Sequence, residues 1–284
     1  MKRLITYTLY PVLLFSIFGL FYAAQTYGWD LKMTFAIMAG VRIVVLLATE
    51  FLFPAKKEWM ISWGSFLRDL KYMMSGGAIL GLLNLMGVWL AIDYSRFNTG
   101  IFQDVPVWLE LVITILIYEF FQYWYHRYSH ENLGPHGFWF WKVHAAHHLP
   151  DKVYLLMHPA GHPINFLITL FIVQAPLVLL ESKPEVIFLF NALLGLQGLV
   201  SHFNVEIKVG FLNYILVGTE LHRFHHSADP KEAKNYGVLT SFWDIAFGTF
   251  YYHPDLPARL GVFDEESYPR SNEFIKVMKM PFVK

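Results

Sequence analysis

Residues 106–130 read PVWLELVITILIYEFFQYWYHRYSH, an apolar stretch that runs without a break into two histidines four residues apart. Residues 106–125 carry only Glu110 and Glu119 as charges, and about 20 apolar residues are what a helix needs to cross a bilayer. Five more runs of that kind fall at 4–27, 33–53, 72–92, 164–181 and 185–203. Composition agrees: 55% of residues are hydrophobic, 15% are charged, and the mean hydropathy is +0.39. A water-soluble domain carries about 25% charged residues, so the expectation is a multi-pass integral membrane protein.

The first run is too long for a cleavable signal and lacks a small-residue cleavage pattern, so it reads as a span. Glu181–Pro184 joins the last two runs so tightly that a helical hairpin is expected, with both arms near the minimum spanning length. Basic residues set the orientation. With a cytoplasmic N-terminus, Lys2, Arg3, Lys56, Lys57, Arg68, Lys71, Arg127, Lys142, Lys152 and the nine basic residues after 203 are cytoplasmic. Only Lys32, Arg96 and Lys183 then face the other side, with Arg42 inside a span. Both termini and every histidine cluster are thereby expected on the cytoplasmic side. The expected fold is all-α and polytopic: about four to six membrane helices, and a mostly soluble helical cap from 126–163 and 204 onward. The tail after 254, with Pro254, Pro257 and Pro269, reads as irregular.

The 22 basic and 22 acidic residues cancel, and no basic stripe suited to nucleic acid is present. Cysteine is absent, which excludes disulfides, thiolate zinc sites and cysteine-held iron–sulfur clusters. Histidine is unevenly placed. None of the 13 occurs before residue 126, and all but His253 lie between 126 and 226. His126 and His130 form HxxxH. His144-Ala-Ala-His147-His148 and His222-Arg-Phe-His225-His226 each form HxxHH, which on a helix gathers positions i, i+3 and i+4 toward one side. Eight histidines exceed the needs of one ion, whereas two ions with four or so imidazoles each fit the count. His202 is a candidate ninth ligand and His162 a tenth. Glu119, Gln122, His126 and His130 share one helical stripe, so Glu119 is a candidate to hold an imidazole N–H, as are Glu131 and Asp151 beside the clusters. Arg42 and Glu50 suit a lipid headgroup or partner helices, and a plain reading, with Glu50 at the interface and Arg42 paired internally, fits at least as well. The tryptophans at 59, 63, 108, 124, 139 and 141 read as an interfacial belt.

Imidazole suits iron, copper, nickel and zinc alike. The zinc-protease signature HExxH is missing, as are a nucleophile elbow and a phosphate loop. Few charges line the spans, which argues against a metal transporter or sensor. The clusters lie just beyond the spans, which argues against a haem held between opposed helices.

Taken together, His126–Glu131, the two HxxHH clusters, Asn235-Tyr236-Gly237, Trp243-Asp244 and Phe247-Gly248-Thr249 resemble the fatty acid hydroxylase/sterol desaturase superfamily over about 106–252. Glu119 sits where that superfamily often has an acidic residue seven places before the first histidine, and His162-Pro163 falls where many bacterial members have a His-Pro pair. The closing segment looks like the alkylglycerol monooxygenase branch. The resemblance implies two iron ions cycling between ferrous and ferric states, molecular oxygen, a lipid substrate that is hydroxylated or desaturated, and a separate electron donor. It divides the chain into an anchor at 1–105, a catalytic domain at 106–252 and a tail at 253–284.

Overall fold

The structure, a computed structural model, describes residues 1–89, 102 and 104–283. Arg96 and Lys284, counted in the charge bias, and the end of the third apolar run lie outside the described residues. Among the described residues the regular elements are all helical, joined by isolated bridges rather than strands. The apolar runs fold as α1 (Lys2–Tyr27), α2 (Leu31–Leu52), α3 (Trp63–Trp89), α4 (Val107–His130), α6 (Pro163–Leu179) and α7 (Pro184–Ser201). Shorter helices α5 (Gly137–His148), α8 (Thr219–His225), α9 (Phe242–Ala246) and α10 (Phe274–Lys279) complete the chain. Among the described residues, α1, α2, α4 and α7 are long and apolar enough to cross a membrane. They mark an integral membrane protein.

Local chemistry sets the helix ends. α1 stops at Gly28, which takes the left-handed conformation with φ 65°. Asp30 then starts α2 by accepting the Met33 N–H at 2.7 Å. α6 and α7 each open on a proline, Pro163 and Pro184, at the first turn, where a missing N–H costs nothing. In lipid there is no water to expel between helices, so packing and buried hydrogen bonds hold the bundle. Tyr10 Oη donates to Gln197 Oε1 (2.7 Å), joining α1 to α7, and the Gln197 amide donates on to the Val217 carbonyl (2.7 Å). Arg42 of α2 donates to the Ala192 carbonyl of α7 (2.9 Å), and Glu50 accepts the N–H groups of Leu155 and Asn204. Arg42 and Glu50 therefore staple the bundle from within.

α4 is the central helix. α6 packs on one flank of it together with α3, and α7 packs on the other together with α1 and α2. The expected hairpin is thus splayed: the Leu180–Lys183 turn is tight, but α4 lies between its arms. Glu110 in the first turn of α4 accepts the Lys183 N–H at 3.0 Å, which pins that turn in place. This wedge brings the last turns of α4 and α7 to the same end of the bundle, where α5 and α8 cross them.

Candidate metal centre

Nine histidines meet at that end and divide into two groups. His126, His130, His144, His148 and His225 form the first, and His147, His202, His222 and His226 the second. Within each group the available ring nitrogens lie within 4.8 Å of one another. The division cuts through both HxxHH motifs. Each turn of an α-helix takes 3.6 residues, so positions i and i+4 nearly align while i+3 and i+4 diverge by about 100°. Accordingly His144 and His148 join the first group and His147 the second, whereas His222 and His226 join the second and His225 the first.

The ring nitrogens are aimed by carbonyl groups. His126 Nδ1 meets the Tyr236 carbonyl at 2.7 Å, His147 Nδ1 the Ala160 carbonyl at 2.9 Å, and His225 Nδ1 the Lys234 carbonyl at 3.0 Å. His144 Nδ1 meets Asn165 Oδ1 at 3.1 Å, and His202 Nδ1 the Gly198 carbonyl at 3.3 Å. A carbonyl oxygen can only accept, so each Nδ1 carries the hydrogen and each Nε2 is left with a bare lone pair. Those Nε2 atoms converge. In the second group the His202–His147 separation is 2.9 Å, and His202–His226, His202–His222 and His222–His226 are each 3.1 Å. In the first group His144 Nε2 lies 2.9 Å from that of His126 and 3.0 Å from that of His148.

Lone pairs facing one another at this range repel unless a cation lies between them. Two nitrogens at right angles about an ion, each held at about 2.0–2.1 Å, would stand about 3 Å apart. Among the described residues, the Nε2 atoms of His130 and His225 are buried with no hydrogen-bond partner, as ligand atoms awaiting an ion would be. Burial also pushes His144, His148, His202, His222, His225 and His226 well below the usual histidine pKa of 6.5. They stay neutral near pH 7, the form that binds metal. Both groups fit an all-imidazole metal ion.

The other candidates stand elsewhere. His162 caps α6, its Nδ1 accepting the Ile164 N–H while Nε2 donates to the Met278 carbonyl, and it enters neither group. Glu119 touches no imidazole: its Oε1 accepts the backbone N–H groups of Val238, Leu239 and Thr240 at 2.5, 2.8 and 3.0 Å. It acts one step back, by fixing the turn whose Tyr236 carbonyl holds His126. Glu131 accepts from Arg127 (2.8 Å), Lys234 (3.2 Å) and the Tyr236 hydroxyl (3.3 Å). Asp151 is exposed. Gly237 is required where Glu119, Asp244 and this turn converge, because a Cβ there would lie 2.2 Å from the Thr240 carbonyl oxygen.

Three features carried no signal in spacing. Asn165 also accepts from the Tyr125 hydroxyl (2.6 Å), and so ties α4 and α6 to His144. Trp141 lies beside the site: its ring is 4.9 Å from that of His130, and its indole N–H donates to the Tyr268 hydroxyl at 2.7 Å. His158 packs 5.4 Å from His202 without joining its group. A cavity of about 320 Å³ opens onto the first group, lined by His130, His148 and His225 with Trp141, Lys234 and Tyr236.

Comparison with known proteins adds a lineage to this geometry. Residues 111–249 match the family described as fatty acid hydroxylase. An ornithine lipid hydroxylase of Rhizobium tropici is 29% identical over 256 residues, covering 87% of this chain and 75% of the relative. Human alkylglycerol monooxygenase is 31% identical over 168 residues, 57% of this chain and 34% of its own. An Arabidopsis thaliana methylsterol monooxygenase is 22% identical over 142 residues, 49% and 46% of the two chains. No solved structure matches.

Proposed function

We propose that residues 111–249, which match the fatty acid hydroxylase family, are the catalytic part of a membrane-bound di-iron oxygenase that hydroxylates or desaturates a membrane lipid. The observation that carries this reading is the pair of imidazole-only groups, five and four strong, at the end of membrane helices. Bound iron would supply the redox chemistry that reduces dioxygen and oxidises a substrate C–H bond, with electrons from a separate donor.

The chain's own residues do the rest. His126, His130, His144, His148 and His225 would hold one ion, and His147, His202, His222 and His226 the other. Carbonyl acceptors behind His126, His144, His147, His202 and His225 fix the tautomer of those five rings before any ion arrives, so they need little reorganisation on binding. The burial that keeps the imidazoles neutral also keeps water from the oxidant. Glu119 and Glu131 serve as positioning residues, the first through the 238–240 turn and the second through Lys234 and Tyr236. Residues 1–105 anchor the catalytic region of 106–252, residues 253–284 form the tail, and the histidines and both termini face the cytoplasm.

The test is metal analysis of detergent-purified protein followed by turnover. About two irons per chain are expected by the donor count. Incubation with ferrous iron, reductant, isotopically labelled dioxygen and total membrane lipid should then give a lipid carrying one labelled oxygen atom, or an alkene. Protein that takes up zinc alone and refuses ferrous iron anaerobically would overturn the reading.

A further inference from the structure

Residues 236–249 follow α4 along a path traced by their hydrogen bonds. The segment starts at His126, where the Tyr236 carbonyl meets Nδ1, passes Glu119 through Val238, Leu239 and Thr240, and reaches the Leu116 carbonyl, which accepts the Trp243 indole N–H at 3.2 Å. From residue 126 to 116 is about 15 Å of helix at 1.5 Å per residue. The chain then climbs back. Phe247 packs against Trp124 and Tyr123 (5.0 and 5.4 Å between rings), and Thr249 Oγ1 reaches the Tyr123 hydroxyl at 2.9 Å. A mostly irregular segment, with only the five-residue α9 at its far end, thus descends beside a membrane-length helix and returns to the end it left.

Its backbone is provided for within the protein. Glu119 takes three N–H groups. The Asp244 carboxylate takes those of Tyr236 (2.8 Å) and Gly237 (2.7 Å), and the Asp244 carbonyl takes those of Thr249 and Phe250. Hydrocarbon demands such provision, because it offers no water to an irregular backbone. Asp244 is the one charged residue in 235–250, and it is fully buried. The outer face is apolar instead: Phe242 is 50% exposed and Ile245 47%. A neighbouring loop joins them, held by the Ser241 N–H on the Ile215 carbonyl and the Ser241 hydroxyl on the Asn213 carbonyl. That loop exposes Phe211, Tyr214 and Ile215. The surface continues onto α4 through Phe120, whose ring meets Trp243 at 5.1 Å, and the exposed Phe121.

We propose that residues 236–249, with 210–215, form a re-entrant wedge set among the acyl chains of the leaflet on the histidine-bearing side. The occupant of this apolar face is bilayer lipid. The inference rests on the membrane assignment and is independent of the oxygenase chemistry. It brings lipid to the flank of the first histidine group, since the same segment holds His126 in place. It also gives the buried Glu119 a purpose inside an apolar helix, as the acceptor for backbone that lipid cannot satisfy.

The chain has no cysteine, so single cysteines can be labelled without background. Nitroxide labels at Ile245→Cys and Phe211→Cys would be read by power-saturation EPR in phosphatidylcholine vesicles, against dissolved oxygen and a water-soluble nickel chelate. Phe121→Cys on the exposed face of α4 and Lys231→Cys on an exposed loop are the references. The expected result is loss of nickel accessibility at Ile245 and Phe211, with oxygen accessibility matching Phe121. Nickel accessibility equal to that at Lys231 would overturn the proposal. Low accessibility to both reagents would mean that a second copy of the chain covers the face, and would overturn it equally.

Discussion

His147 and His148 are adjacent in the chain and serve different groups: His147 Nε2 lies 2.9 Å from that of His202, and His148 Nε2 lies 3.0 Å from that of His144. Their removal should therefore have different consequences. His147→Ala leaves three histidines in the second group and should lower the metal content toward one ion per chain, whereas His148→Ala leaves four in the first and should retain more. Metal analysis of the two variants side by side checks this. Equal losses would show that the groups do not load separately.

Asn165 takes its place in the site through one acceptor atom shared by His144 and the Tyr125 hydroxyl. Asn165→Leu removes that acceptor and should weaken metal binding at the first group by about 10–100-fold, the usual cost of losing a hydrogen bond behind a ligand. A chelator-competition titration reads the change. Affinity like that of the parent chain would mean that packing alone aims His144.

For Glu119, the predicted loss is one of stability. Glu119→Leu strips three buried N–H groups of their acceptor, at about 1–3 kcal/mol each, so unfolding in detergent should become easier by roughly 3 kcal/mol or more. Glu119→Gln keeps an oxygen at the same place and should cost less. If Glu119→Gln abolished turnover in a protein of parental stability and metal content, the residue would belong to the chemistry instead.

Acid should destabilise the metal-free protein in a defined direction. Burial holds His144, His148, His222, His225 and His226 below their ordinary pKa of 6.5. Between the folded and unfolded values the unfolded chain binds more protons, so stability is complete above about pH 6.5 and declines as pH falls below it. Bound metal competes with those protons, and loading should move the decline to lower pH. Unfolding midpoints of both forms from about pH 8 to 5 test this, as histidines titrate there; a flat metal-free profile would contradict buried, neutral histidines.

Much of this was legible in the sequence because periodicity and spacing are local. The apolar runs became helices α1 to α4, α6 and α7, and the spacing of HxxxH and HxxHH announced clustered rings. Helical spacing turns His147 away from His148, but that a second group waits there for His147 was less visible, because it depends on where α7 delivers His202. Asn165, the Ala160 carbonyl and Trp141 left no trace at all, since they meet the histidines only through tertiary packing. Glu119 shows the mixed case. Its cost inside an apolar helix was readable, but its partners lie some 120 residues away and are backbone groups, which a sequence does not distinguish.

α8 has a consequence for the life of the protein in a cell. It spans only seven residues, Thr219–His225, and isolated helices shorter than about 12–15 residues are marginal in water. Its shape is lent to it by Arg223, which donates to the Phe203 and Val205 carbonyls (2.7 Å each), and by the ions that His225 on one side and His222 with His226 on the other would hold. Loading and local folding are then one equilibrium. A pulse-chase comparison in iron-replete and chelator-treated cells should give a shorter half-life under chelation, and equal half-lives would contradict the coupling. Chains made while their metal is scarce would present an unravelled stretch to housekeeping proteases, so the protein's abundance would follow the metal supply without a dedicated sensor.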